Sequence, residues 1–240
     1  MCGRYTLATP LGELVEVFDV GHLAIGDWAP RFNVAPTQLA PVVLADRDGV
    51  RRLGPLRWGL VPRWADDPAL GSRLINARAE TAAARPAFRD AFRHRRCLVP
   101  ADGFYEWRAP AGGGGPRTPF HIHAPGERPF AMAGLWERWQ PEGGEPLFTF
   151  TVLTVDAPPW LRGIHPRAPA ILPAERWPAW LDPATPAPEA EAVLRDEPQG
   201  SVPATAGFLA EEVTTRVNRP AHDDPACREP LPGGERVEEG

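Results

Sequence analysis

The sequence predicts a single α+β domain, built on a central antiparallel sheet or open barrel with short helices at its periphery. Three observations lead there. The apolar runs are short and bounded by Pro, Gly or Asp, the punctuation of strands and tight turns. Helical periodicity is confined to a few brief stretches. No internal repeat or linker divides the 240 residues, and one large core can serve a chain of that length. The domain is expected to cover residues 1–226. Residues 227–240 are rich in Pro, Gly and Glu with few apolar side chains, so a disordered tail is expected there.

Taken in order, residues 10–20 read as a short amphipathic helix, with Thr9 as N-cap and Pro10 as first helical residue. Arg31 to Pro36 is extended. Leu39 to Leu44 reads as a buried strand, and Asp48-Gly49 signals a hairpin before Val50–Leu53. Leu56 to Val61 reads as a further strand, stopped by Pro62. Residues 63–74 are loop-like. Thr81 to Arg95 looks helical, with Phe88 and Phe92 four apart on one face. Strands are expected at Arg96–Pro100, Phe104–Trp107, Phe120–Ile122, Phe130–Leu135 and Phe148–Thr154. The second and third of these flank a flexible tip at Gly112–Gly115. Gly163 to Arg167 is a loop. Short helices are expected at Ala174–Leu181 and Pro188–Leu194.

Composition narrows the function. Hydrophobic residues make up 43% and charged residues 24%, as in soluble globular proteins. No apolar run is long enough for a membrane span, and the N-terminus lacks the basic and apolar regions of a signal peptide. A cytoplasmic protein is expected, with no membrane association. Three cysteines, Cys2, Cys97 and Cys227, fit a reducing compartment better than a disulfide framework. His121 and His123 would share one face of a strand. No acidic or cysteine partner stands at ligand spacing, so a structural pair is expected and neither metal nor cofactor.

The net charge of -5 by itself argues against nucleic acid. Its distribution points the other way. All 26 basic residues are Arg, and residues 51–108 hold 12 of them against 6 acids, whereas residues 181–240 hold 5 against 13. A basic centre with an acidic end is compatible with a local anion-binding surface, or with solvated faces.

The chemistry gathers at Cys2. With Met1 removed, one residue would carry a free α-amine and a thiol on adjacent carbons. The amine forms a Schiff base with an aldehyde, and the thiol can then close on the same carbon as a thiazolidine, a second step made intramolecular. A positive neighbour such as Arg4 is expected to lower the thiol pKa. The other reading makes Cys2 a small buried hydrophobe. Asn76 stands between apolar Ile75 and Ala77. Glu106 lies in an aromatic run, a dry setting that raises a carboxyl pKa toward neutrality. The alternative pairs it with an Arg on a strand surface. His165 sits in a Pro-bounded loop, as a proton carrier or as a histidine held by backbone.

Six blocks in register then match a known family: Met1-Cys2-Gly3-Arg4, Phe32 to Thr37, Arg57 to Pro62, Ile75 to Thr81, Pro100 to Trp107, and Gly163 to Arg167. The sequence resembles the SOS response-associated peptidase family, the abasic-site processing proteins, across roughly residues 1–217. The resemblance implies a protein, expected to be monomeric, that binds single-stranded DNA and captures abasic sites in the DNA damage response. By resemblance Cys2 becomes covalently attached to the ring-opened sugar, and Asn76 holds the sugar or orients the amine. Glu106 is the general acid/base for ring opening, dehydration and strand scission by β-elimination, and His165 acts on the opened sugar and in crosslink reversal. Arg4, Asn33, Arg78 and Thr154 are implied as DNA contacts, the arginines on phosphate. Pro36 and Trp64 are implied to wedge or stack against bases, against the alternative that Trp64 packs in the core. The family's name also suggests an N-terminal nucleophile peptidase or hydrolase acting through the same four residues, at minimum on its own Met1.

Overall fold

The computed structural model describes residues 2–195 and 204–238. β1 (Tyr5–Leu7) leads into α1 (Leu11–Val17), β2 (His22–Leu23), β3 (Arg31–Val34), β4 (Leu39–Ala45) and β5 (Arg51–Trp58). Pro10 is the N-cap of α1, and Thr9 is not. The Thr9 hydroxyl instead donates to Asp102 Oδ2 at 3.1 Å. The two strands expected at 50–53 and 56–61 are one, β5. Its Pro55 stands opposite Pro41 of β4, so the two missing N–H groups fall at the same point of the ladder and pairing continues on either side.

β6 (Asn76–Arg78) runs into α2 (Ala79–Ala82), followed by α3 (Arg89–His94). The single helix expected over 81–95 is therefore two, because Pro86 interrupts it and restricts Arg85 before it. Phe88 and Phe92 are both buried, as the periodicity requires. β7 (Arg96–Ala101), β8 (Gly103–Arg108), β9 (Thr118–His123), β10 (Phe130–Trp139) and β11 (Leu147–Asp156) carry most of the sheet structure. β12 (Arg167–Pro169), β13 (Ile171–Leu172), α4 (Trp177–Leu181), α5 (Ala187–Arg195), β14 (Leu209–Glu212) and β15 (Arg236–Glu238) complete the chain.

Five strands close on themselves. β5, β4, β7, β10 and β11 pair antiparallel in turn. A parallel contact of Thr149 and Phe150 with Arg57 and Trp58 returns β11 to β5. The expected open barrel is thus a closed one, and closure removes the exposed edges that an open sheet would present. A second, antiparallel sheet of six strands runs β15-β14-β9-β8-β1-β3. One apolar core fills the space inside and between them, from Tyr5 and Phe104 to Trp58 and Phe150.

The tail expectation is corrected over residues 227–238. Cys227 is buried, Val213 bridges Pro230, and β15 pairs with β14. Main-chain pairing holds this segment although its composition is polar. Residues 239 and 240 lie outside the described residues. His121 and His123 stack with centroids 5.1 Å apart. Thr6 Oγ1 lies 3.2 Å from the first and Glu211 Oε2 lies 3.1 Å from the second. Among the described residues no cluster of His, Cys, Asp and Glu could hold a metal, and no helix is long and apolar enough to cross a membrane.

Candidate active site at the start of the chain

Position 2 is placed by β1, which lies between β8 and the edge strand β3 in the six-stranded sheet. Tyr5 stands opposite Phe104 and Thr6 opposite Gly103. The Tyr105 N–H donates to the Arg4 carbonyl at 3.0 Å. That register carries the chain upstream of Tyr5 alongside Glu106 of β8. Gly103 is required here, because a Cβ would stand 2.1 Å from His121 Nε2 and 2.9 Å from Thr6 Oγ1. Asp102 fixes the other end of β1. Its Oδ2 accepts the N–H groups of Ala8 and Thr9 at 2.5 and 3.0 Å.

The four candidate catalytic residues converge. Cys2 is completely buried. Asn76 reaches it from β6, its amide donating to the Cys2 carbonyl at 2.7 Å. β6 is held in place by its parallel pairing with β11. Glu106 is 2% exposed, and its Oε2 lies 3.8 Å from His165 Nδ1. Burial raises the Glu106 carboxyl to about 7, against the opposing pull of the chain's amino-terminal charge. His165 is shifted the other way, lowered chiefly by burial, so its ring is neutral at pH 7. The Arg167 carbonyl lies 2.9 Å from His165 Nδ1, and the Arg167 N–H lies 3.1 Å from it. The histidine therefore has both its expected backbone partner and a carboxylate neighbour.

The Cys2 thiol is pushed well above its ordinary range, first by burial and then by the Glu106 charge. The expectation that Arg4 activates it is corrected. Arg4 directs its guanidinium elsewhere, to Asn33 Oδ1 at 3.0 Å and the Val217 carbonyl at 2.7 Å. Cys2 is a neutral thiol, and its proton has to be taken up during any attack.

Among the expected DNA contacts the structure separates two groups. Trp64 is 61% exposed, which removes the core-packing alternative. Pro36 is half-buried, beside Thr37, which adopts φ 71°. Arg78 is exposed. Asn33 and Thr154 are different, since both are completely buried. Asn33 Nδ2 donates to the carbonyls of Val217, Arg219 and His222 at 3.1, 3.1 and 2.7 Å. Thr154 Oγ1 donates to the Ala77 carbonyl at 3.5 Å. Direct contact of either with a DNA strand is corrected: one fastens residues 217–222 over Arg4, and the other ties β11 to β6.

The family model of SOS response-associated peptidases matches residues 1–220. The chain belongs to that family. The abasic site processing protein YoaM of Bacillus subtilis is 39% identical over 79% of this chain and 82% of its own. The abasic site processing protein HMCES of Gallus gallus is 35% identical over 86% of this chain and 68% of its own. Among solved structures, a protein from Bacteroides thetaiotaomicron superimposes with a TM-score of 0.80 over 96% of this chain and 100% of its own, at 23% identity. A phage-related protein from Bordetella bronchiseptica gives 0.67 at 30% identity, over 88% of this chain and 94% of its own.

Close contacts account for two of the residues in the SOS response-associated peptidase blocks. Glu80, from the block at 75–81, binds Arg167, from the block at 163–167, through two hydrogen bonds of 2.7 and 2.9 Å. Gly59, at φ +119°, lies so close to Gly71 that a Cβ would meet its carbonyl oxygen at 2.6 Å. Sequence reasoning missed three residues near the site. Trp107 donates its indole N–H to Asn218 Oδ1 at 2.7 Å. Arg117, just past the glycine tip, acts electrostatically on both Glu106 and His165. No local pattern marks Arg117 or Asn218, because only the returning hairpin and the C-terminal segment bring them beside Gly3 and Arg4.

Proposed function

We propose that this protein captures abasic sites in single-stranded DNA through Cys2 once Met1 has been removed. The observation that carries the reading is the meeting of Asn76, Glu106 and His165 at residue 2, with the Asn76–Cys2 hydrogen bond of 2.7 Å at its centre. The names of the relatives support the substrate: YoaM and HMCES are abasic site processing proteins.

The ring-opened sugar of an abasic site exposes an aldehyde. The Cys2 amine adds to its carbon and gives a carbinolamine. Glu106 in its acid form delivers a proton to the departing hydroxyl, water leaves, and a Schiff base remains. A carboxyl poised near 7 is matched to that transfer at physiological pH. The thiol then adds to the same carbon, its proton passing to the imine nitrogen, and the thiazolidine closes. The net loss is one water. In the competing path, a base removes a C2′ proton from the Schiff base, the 3′ phosphate departs, and the strand is cut. His165, neutral and beside Glu106, suits proton movement on the opened sugar. Arg78 and Arg4 supply positive charge along the strand, and Trp64 supplies an exposed aromatic face. Trimming of Met1 by the same residues is compatible with this geometry. Hydrolysis of external peptides draws less support, because the thiol is buried and neutral.

The test is a denaturing gel with an abasic single-stranded oligonucleotide, joined to the mass of the N-terminal peptide. Wild type should lose Met1 and gain the sugar adduct less one water. Cys2→Ala should give no thiazolidine, although its own amine can still be trapped by reduction. A wild-type protein with no adduct, or a thiazolidine from Cys2→Ala, overturns the proposal. Met1 kept on Glu106→Ala but lost from wild type in one host would support self-trimming.

A further inference from the structure

An open cleft of about 490 Å³ adjoins the site, lined by Gly3, Arg4, Trp107, Pro116, Arg117 and Asn218. Its walls carry two positive charges and no negative one. Arg4 is already engaged by the Val217 carbonyl and Asn33. Arg117 is exposed, and among the described residues no carboxylate or carbonyl holds its guanidinium. Asn218 is exposed as well. The Trp107 indole can only donate, so the Asn218 atom 2.7 Å from it is the amide oxygen. That fixes the amide, and its two N–H donors are left for another partner. Glycines 112–115 just before Pro116 all have φ between +75° and +107°, and they place no side chain in competition with Arg117.

We propose that Arg117 and Asn218 together seat one backbone phosphate of the DNA strand directly flanking the captured sugar. The inference rests on the abasic-site reading and names a subsite within it. A planar guanidinium and an amide donor pair suit a phosphodiester's two free oxygens. The phosphate fixes the sugar's register over Cys2 rather than its chemistry, so Arg117 and Asn218 are positioning residues. Removing the Arg117 charge also removes a positive neighbour that lowers Glu106 and His165.

The experiment measures adduct formation at subsaturating protein. It uses abasic oligonucleotides with the natural phosphate or a neutral methylphosphonate immediately 5′ or 3′ of the lesion. Arg117→Gln should be slower by about tenfold, Arg117→Lys should recover part of the loss, and Asn218→Asp should be slower still. The slope of log affinity against log salt should fall by about 0.7 in Arg117→Gln. The alkaline limb of its pH profile should move upward. A methylphosphonate at one of the two positions should slow wild type but leave Arg117→Gln unchanged, because the contact is already gone. Wild-type rates for Arg117→Gln, or methylphosphonate penalties that multiply with the variant at both positions, would overturn the phosphate seat. Failure of wild type on the unmodified oligonucleotide would instead overturn the underlying reading.

Discussion

Glu80 and Arg167 form a two-pronged ion pair, Nη1 to Oε1 at 2.7 Å and Nη2 to Oε2 at 2.9 Å. The same guanidinium also reaches Asp156 Oδ1 and the Thr154 carbonyl, both at 2.5 Å. The loop that carries His165 is thereby bolted to the segment that carries Asn76. Arg167→Lys keeps the charge and loses the fork. It should slow adduct formation by about tenfold, while thermal stability falls by about 1 kcal/mol or less, because Glu80 is nearly half exposed. Paired rate and melting measurements check this.

Glu106 makes stability depend on pH in an unusual direction. Its folded pKa, about 7, lies above the ordinary 4.5. The native state therefore holds a proton that the unfolded chain has released. Stability is fullest below pH 4.5 with respect to this group and declines as pH rises toward 7. Glu106→Gln removes the decline. Its stability relative to wild type should rise by up to about 3 kcal/mol between pH 4.5 and pH 8. Adduct formation in the same variant should lose its alkaline limb.

Asn33→Ala should act on the fold before it acts on DNA. Three backbone carbonyls in residues 217–222 each lose one donor, keeping Arg4, the His222 N–H and the Cys227 thiol as their others. Loss of these hydrogen bonds, and of the acceptor that Asn33 Oδ1 gives Arg4, predicts a stability loss of about 1–3 kcal/mol. Limited proteolysis should show faster cutting after residue 216. A variant with wild-type stability and weaker DNA binding would contradict this assignment.

Trp64→Ala should do the reverse. The side chain is 61% exposed, so stability should change by less than about 0.5 kcal/mol. Affinity for single-stranded DNA should fall by about 1–3 kcal/mol, the worth of one stacked base. Fluorescence anisotropy on an undamaged oligonucleotide separates this from any effect on capture.

The strands were largely legible because the pattern that marks them is local. Short apolar runs with Gly and Pro boundaries located β4, β7, β8 and β11. Barrel closure was not legible, since it depends on two residues of β11 meeting β5 in parallel, a contact between segments about ninety positions apart. At the site, motifs alone picked out Cys2, Asn76, Glu106 and His165, and the fold brings these four candidates together. The roles of Asn33 and Thr154 were misread because a motif reports that a side chain is needed, not whether it faces the ligand or the backbone. The Cys2 thiol was misjudged for a related reason. Proximity of Arg4 in sequence gave no warning that its guanidinium turns to Val217.

That same reach from Arg4 to the Val217 carbonyl sets a clock on biosynthesis. Val217 is synthesised more than two hundred residues after Cys2, so the contact that pins Arg4 forms late. At ~5–20 residues per second the interval is roughly 10–40 s. Throughout it the growing chain carries Cys2 without the contacts that later enclose it. On the proposed capture, cellular aldehydes meeting nascent polypeptides would compete with DNA for the same atoms, and a ribosome stalled before residue 217 would prolong that competition.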